Sequence, residues 1–148
     1  MRQSLKTGFS FGLTSGVITT LGLMVGLHAG THSRLAVIGG IVTIAVADAL
    51  SDALGIHIAE ESKNNGNVSD IWESTIATFV AKFLIALTFV VPVLLLPLEE
   101  AMTVSVGWGL ALLTVLSYLL AWAQQISAWT VIAEHLVIGV SVIAITHY

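Results

Sequence analysis

Five long apolar runs, separated by short polar segments, account for most of this sequence. The runs cover residues 8–29, 35–59, 72–98, 101–123 and 129–147. Each is close to the roughly 20 mostly apolar residues that a helix needs to cross the hydrocarbon core of a bilayer. The pattern predicts an all-α integral membrane protein whose five transmembrane helices form one domain over residues 1–148.

The segments between the runs carry residues that hydrocarbon excludes. Residues 60–67, 99–100 and 124–127 are polar and are predicted to form loops or turns. Pro92 and Pro97 are predicted to bend or end the third helix, because each lacks a backbone N–H donor.

Composition excludes several classes of protein. Of the 148 residues, 56% are hydrophobic and 9% are charged, whereas soluble domains carry about 25% charged residues. The formal net charge of -4 comes without the basic stripe that nucleic-acid binding requires, so nucleic acid is not an expected partner. The absence of cysteine excludes thiolate metal ligands and cysteine nucleophiles.

The basic residues outside the apolar runs predict an orientation. Arg2, Lys6 and Lys63 lie on one predicted side of the membrane and Arg34 on the other, so the positive-inside rule places the N-terminus in the cytoplasm. Five spans then place the C-terminus outside. The first run is longer than the usual apolar region of a signal peptide (about 7–15 residues), so we expect it to be retained. We expect the protein to lie in the cell membrane of a prokaryote.

Small residues recur at a helical spacing in the first run. A spacing of four puts small side chains on one helix face, where another helix backbone can approach closely. Two readings stay open, a contact between protomers and ordinary packing within one chain. Because five short helices enclose little space, a homodimer would help to build a pathway. The predicted packing interface consists of Gly8, Gly12, Gly16, Gly22 and Gly26.

Two aspartates lie inside the second apolar run. Asp48 and Asp52 are four residues apart and so project from one face of the helix. Each costs about 2.5–3.5 kcal/mol near the centre of a membrane helix, and a protonated or metal-bound state relieves that cost. Carboxylate oxygens suit hard divalent cations and also carry protons. The alternative is a structural ion pair with Lys82, which lies inside the third run. In the functional interpretation, Lys82 is a charge partner that neutralises one aspartate when no substrate is bound, and a snorkelling lysine is the alternative for this residue.

Further acidic residues are candidate metal ligands. Glu60, Glu61, Asp70 and Glu73 form a predicted acidic mouth on the cytoplasmic side, which would concentrate cations there. Glu134, near the start of the fifth run, is a further candidate ligand or proton acceptor. A solvated loop and an interfacial side chain are the respective alternatives.

Two histidines suggest an outer metal site. His28 and His32 are four residues apart and can share a divalent ion if the helix extends that far, although Gly30 between them argues against this. The pair has no evident third ligand or base. No nucleophile–base arrangement is evident elsewhere either, so we do not expect an enzyme.

Several segments together resemble the vacuolar iron transporter family, also called the iron/manganese transporter family. Residues 15–20 (SGVITT) and 26–30 (GLHAG) resemble its small-residue-rich first span. Residues 47–55 (ADALSDALG) resemble its second span, and 92–97 (PVLLLP) is similar to the proline-bounded end of its third. Residues 132–139 (IAEHLVIG) resemble the start of its fifth. The likeness follows chain order through nearly the whole sequence.

The resemblance implies a homodimer with five spans per protomer and a pathway between the protomers. Ser15 stands where the family has an aspartate, Asp52 where it has a methionine and Asp48 where it has a small residue. Loss of the thioether favours oxygen-loving ions. The family's larger members insert an acidic metal-binding domain between spans two and three, and the loop here is too short for it.

These observations lead to one main function and two alternatives. The main prediction is a divalent-cation transporter for Fe²⁺ or Mn²⁺, exporting the ion from the cytosol against a proton gradient. Protonation of the carboxylates would release the ion on the far side. The ion would be cargo, and no permanent cofactor is expected. The alternatives are a cation channel or proton-coupled carrier for a non-transition-metal ion, and a non-transporting structural membrane protein.

Overall fold

The computed structural model describes residues 2–63 and 66–148. It is 90% helical, and no strand occurs in the described residues. The helices are α1 (Gln3–Thr31), α2 (Arg34–Thr43), α3 (Ala49–Glu61), α4 (Val68–Thr88), α5 (Val90–Leu95), α6 (Leu98–Gln124) and α7 (Ala128–His147), and a π-helical turn (Ile44–Asp48) joins α2 to α3.

The predicted all-α membrane fold is confirmed. Five helical segments are long and apolar enough to cross a bilayer: α1, the continuous segment Arg34–Glu61, the segment Val68–Leu95, α6 and α7. The helix ends differ from the approximate predicted bounds by a few residues. The third segment ends at Leu95 and Leu98 begins α6, because Pro97 follows a residue with extended backbone and occupies the N-cap of α6.

The third span is interrupted before Pro92. Proline offers no N–H to the carbonyl of Thr88 four residues earlier, and its ring also crowds that carbonyl. The chain therefore leaves α4 after Thr88, and the Phe89 N–H donates to the Ala86 carbonyl at 3.1 Å. The predicted proline bend thus separates α4 from α5.

Arg34 joins the second span to the end of the third. Its Nη1 donates to the Val93 carbonyl at 2.6 Å and its Nη2 to the Leu96 carbonyl at 2.9 Å. The last carbonyls of a helix have no intrahelical donor. Arg34 therefore caps α5 and holds these two helix ends at the same side of the molecule.

The first three glycines of α1 form its contact with α4. A Cβ atom at Gly8 would lie 2.9 Å from the Ala77 Cβ, and one at Gly12 would lie 3.0 Å from the Ala81 Cβ. Gly16 continues the row along the same helix. No larger side chain fits, so the glycines let the two helix backbones approach closely.

The remaining glycines of the predicted interface face α7. A Cβ at Gly22 would lie 2.6 Å from Val142 Cγ1, and one at Gly26 would lie 3.6 Å from the Thr146 Cβ. Both rows therefore take part in packing within one chain. α1 is the central helix of the bundle and also packs against α2 and α6.

Candidate functional site: an intramembrane charge cluster

Lys82 lies at the centre of a charged cluster inside the bundle. Its side chain on α4 is completely buried. Its Nζ lies 2.5 Å from the Oδ2 atom of Asp48 and also 2.5 Å from the Oδ2 atom of Asp52. The Nζ also donates to Ser15 Oγ at 3.0 Å. The structure therefore brings Lys82 and both predicted aspartates together.

Ser15 belongs to this cluster, although sequence reasoning did not include it among the site residues. It accepts a hydrogen bond from Lys82 and donates from its Oγ to Asp52 Oδ2 at 2.6 Å. The signal for this role was the family resemblance, which set Ser15 where the family has an aspartate. A single serine in a small-residue-rich helix was not sufficient evidence by itself.

The local structure of the second span places its carboxylates. Asp48 ends the π-helical turn and Asp52 lies in the first turn of α3. The Ala49 N–H reaches back to the Ile44 carbonyl, which is the i→i+5 bond of a π-turn. Such turns inside α-helices are frequent at functional sites. The two carboxylates share one helix face, as their spacing predicted.

The aspartates differ in their hydrogen bonds and exposure. Asp52 accepts hydrogen bonds from Lys82 and Ser15, and its side chain is 22% exposed. The Asp48 side chain is 34% exposed, yet its buried Oδ2 accepts no hydrogen bond despite its short distance from Nζ. Two carboxylates face one ammonium, so the ionised cluster keeps one uncompensated negative charge.

Asp48 connects the cluster to a cavity. The cavity is a groove that is widely open at the surface of the bundle and largely apolar, with a volume of about 560 Å³ between α1, the second span and α7. Its lining extends from Asp48 past Gly22 and Gly26 to Thr146, towards the C-terminal ends of α1 and α7. A solute in this cavity can therefore meet the Asp48 carboxylate, while Lys82 is buried behind it.

Two of the four side chains in the predicted acidic mouth pair with basic residues. Glu73 forms an ion pair with Arg2 and accepts a hydrogen bond from Ser4 at 2.9 Å. Glu60 Oε1 lies 2.7 Å from Lys63 Nζ. Asp70 is half-buried in the first turn of α4, and Glu61 is exposed at the end of α3.

The predicted metal ligands do not assemble into one site. Glu134 is exposed on α7, while its neighbour His135 shares a hydrogen bond of 2.7 Å with Ser117 on α6. Within residues 2–63 and 66–148, no three side chains from Asp, Glu and His form a group that could hold a metal ion. In this described part of the chain, the charge cluster is the place where two of the predicted carboxylate ligands face one cation.

The outer histidines are neighbours at the end of α1. The helix ends at Thr31, and His32 has a left-handed backbone with φ of 49°. The two rings of His28 and His32 are 5.2 Å apart, and His28 Nε2 lies 3.1 Å from Glu99 Oε1. The expected interruption near Gly30 thus occurs just after it, and His28 is engaged by Glu99.

No protein-family model matches this chain, and a comparison with characterised proteins also finds no match.

Proposed function

We propose that this protein carries a cation across the membrane by letting it compete with the Lys82 ammonium for Asp48 and Asp52. The observation that carries the proposal is the position of Lys82, fully buried and 2.5 Å from both carboxylates. Ionisable residues inside membrane spans are costly and usually serve ion or proton pathways. Asp48, which lines the cavity, is the point where a cation would first contact the cluster.

Charge balance indicates how the exchange works. One proton or one monovalent cation neutralises the cluster while Lys82 stays charged. A divalent cation leaves an excess positive charge unless the lysine loses its proton or withdraws. Binding of a divalent ion is therefore coupled to release of a proton or to movement of Lys82, and either event links transport to a second charge.

Fe²⁺ and Mn²⁺ remain the proposed substrates. The resemblance to the iron/manganese transporter family supports this class, and the oxygen ligands suit these ions better than soft ones. We also propose that transport is proton-coupled efflux from a prokaryotic cytosol and that the N-terminus lies inside the cell. A homodimer would enclose the cavity beside Asp48 and supply four aspartates.

The structural alternative has one specific observation in its favour. The Lys82 ammonium already donates hydrogen bonds to Ser15 and Asp52 and forms an ion pair with Asp48. A purely structural ion pair would hold the second, first and third spans together and would bind no substrate. A test must therefore separate loss of transport from loss of folding.

Transport by the protein in proteoliposomes provides this test. The interior would hold a metal-sensitive dye or a pH-sensitive dye, and Mn²⁺, Fe²⁺, Ca²⁺, Mg²⁺ and Na⁺ would be offered in turn. We expect saturable Mn²⁺ or Fe²⁺ flux with opposing proton movement, reduced at least tenfold in Asp48→Asn and Asp52→Asn. Glu100→Gln is the matched control, because it neutralises an exposed carboxylate outside the cluster.

Different outcomes point to different functions. Flux that stays unchanged in both aspartate variants would refute the proposal. Saturable Na⁺ flux would retain the mechanism and change the substrate, whereas non-saturating flux would indicate a channel. If all ions fail to move and none raises thermal stability, the structural alternative holds.

A further inference from the structure

A second cavity lies at the opposite end of the bundle from the cavity beside Asp48. It has a volume of about 620 Å³ and is bounded by the first half of α1, the last turns of α6 and the start of α7. Lys6, Gln3 and Gln124 lie at the helix ends that form its rim. The rim therefore sits where the polar surface of a bilayer meets the N-terminal end of α1.

The walls of this cavity are chemically divided. Leu116, Leu119 and Leu120 supply an apolar wall from α6, and α1 adds aromatic side chains at Phe9 and Phe11. Below the rim, α1 also contributes the hydroxyl groups of Thr7, Ser10 and Thr14, and α7 contributes His135. The leucine wall of α6 therefore suits an apolar chain, and the polar rim suits the polar head of the same ligand.

Lys6 is the basic residue at the rim, and its ammonium group has no counter-ion among the described residues. Among residues 2–63 and 66–148, it is the lysine or arginine whose side chain has no hydrogen-bond or ion-pair partner. Arg2 and Lys63 pair with glutamates, Arg34 caps α5, and Lys82 lies in the charge cluster. An exposed ammonium at a membrane surface attracts anionic headgroups, and basic pockets between spans hold them.

We propose that this cavity binds an anionic phospholipid. The phosphate lies against the Lys6 ammonium, where Gln3 and Gln124 side-chain amides can also donate hydrogen bonds. One acyl chain lies along the leucines of α6. The lipid then fills the space between α1 and the α6–α7 pair, so its binding stabilises the position of α1. The site is separate from the charge cluster and does not depend on the proposed transport.

Lipid titration of the detergent-purified full chain tests this proposal. Binding of phosphatidylglycerol, phosphatidylcholine and inorganic phosphate would be measured by native mass spectrometry and by thermal stabilisation. We expect phosphatidylglycerol to bind at least fivefold more tightly than phosphatidylcholine, and Lys6→Gln to remove most of that preference. Leu120→Trp, which keeps the charge and fills the cavity, should weaken both lipids.

Arg2→Gln is the control, because it removes the same charge from the same end of α1 outside the cavity. Equal loss in Arg2→Gln and Lys6→Gln would show general surface attraction and overturn the proposal. Unchanged binding in Leu120→Trp would also overturn it, since the acyl chain would lie elsewhere. Inorganic phosphate that binds and stabilises as well as the lipid would reassign the rim to a free anion.

Discussion

Replacing Lys82 by methionine should destabilise the protein far more than replacing any other lysine. Methionine keeps much of the side chain's length and apolar packing but removes the ammonium. The two carboxylates then face each other without their shared cation. Removal of one partner from a buried ion pair costs about 3–5 kcal/mol.

The exposure of the aspartates sets the expected magnitude within this range. The Asp48 and Asp52 side chains are 34% and 22% exposed, so water can partly replace the lost ammonium. We therefore expect a loss of about 3 kcal/mol in the free energy of unfolding for Lys82→Met. The triple variant Lys82→Met/Asp48→Asn/Asp52→Asn removes all three charges and should recover most of the loss.

Reversible unfolding of the purified protein in mixed detergent micelles measures these free energies. Lys63→Met is the matched control, because Lys63 is 66% exposed and pairs with Glu60 at the surface. Such pairs contribute about 0–1 kcal/mol. A Lys82→Met variant as stable as Lys63→Met, or a triple variant as unstable as Lys82→Met, would refute the electrostatic account of the cluster.

The Lys82→Met variant also distinguishes a cation carrier from a protein in which the charge cluster is purely structural. Lys82→Met leaves both carboxylates without competition from an internal cation, so a carrier should bind Mn²⁺ more tightly than the wild type. The expected signature is greater stabilisation by Mn²⁺ in Lys82→Met than in the wild type, and none in the triple variant. Destabilisation without any response to cations would favour the structural pair.

Three further substitutions test the packing and the hydrogen bonds. Gly12→Val should separate α1 from α4 and lower thermal stability, because even a Cβ at this position would lie 3.0 Å from the Ala81 Cβ. The control Gly107→Ala has open space around it and should be neutral or should stabilise the protein by up to about 1 kcal/mol. Arg34→Gln should cost about 1–3 kcal/mol in unfolding free energy through the lost caps of α5, and an unchanged value would show that water replaces them. Ser15→Ala should cost about 1 kcal/mol in the same assay and reduce transport less than Asp52→Asn does; a larger transport defect would make the hydroxyl a direct ligand.

The sequence alone determined the spans, the proline interruption and the shared face of the two aspartates. These features are local. A membrane helix must satisfy its own backbone hydrogen bonds, so about 20 apolar residues already specify a span. A four-residue spacing fixes relative direction along a helix, and Pro92 removes a donor wherever the helix lies.

Only the tertiary structure decided which side chains meet. The lipid tails and the interior of the helix bundle are equally apolar, so hydropathy does not reveal which face of a membrane helix turns inward. The glycines of α1 therefore did not reveal that α4 and α7 pack against them, and Ser15 was not identified as a partner of Lys82. The π-helical turn that ends at Asp48 has no clear sequence signature, yet it supplies one residue of the charge cluster. The close approach of α1 and α4 allows Ser15 and the two aspartates to surround one buried lysine.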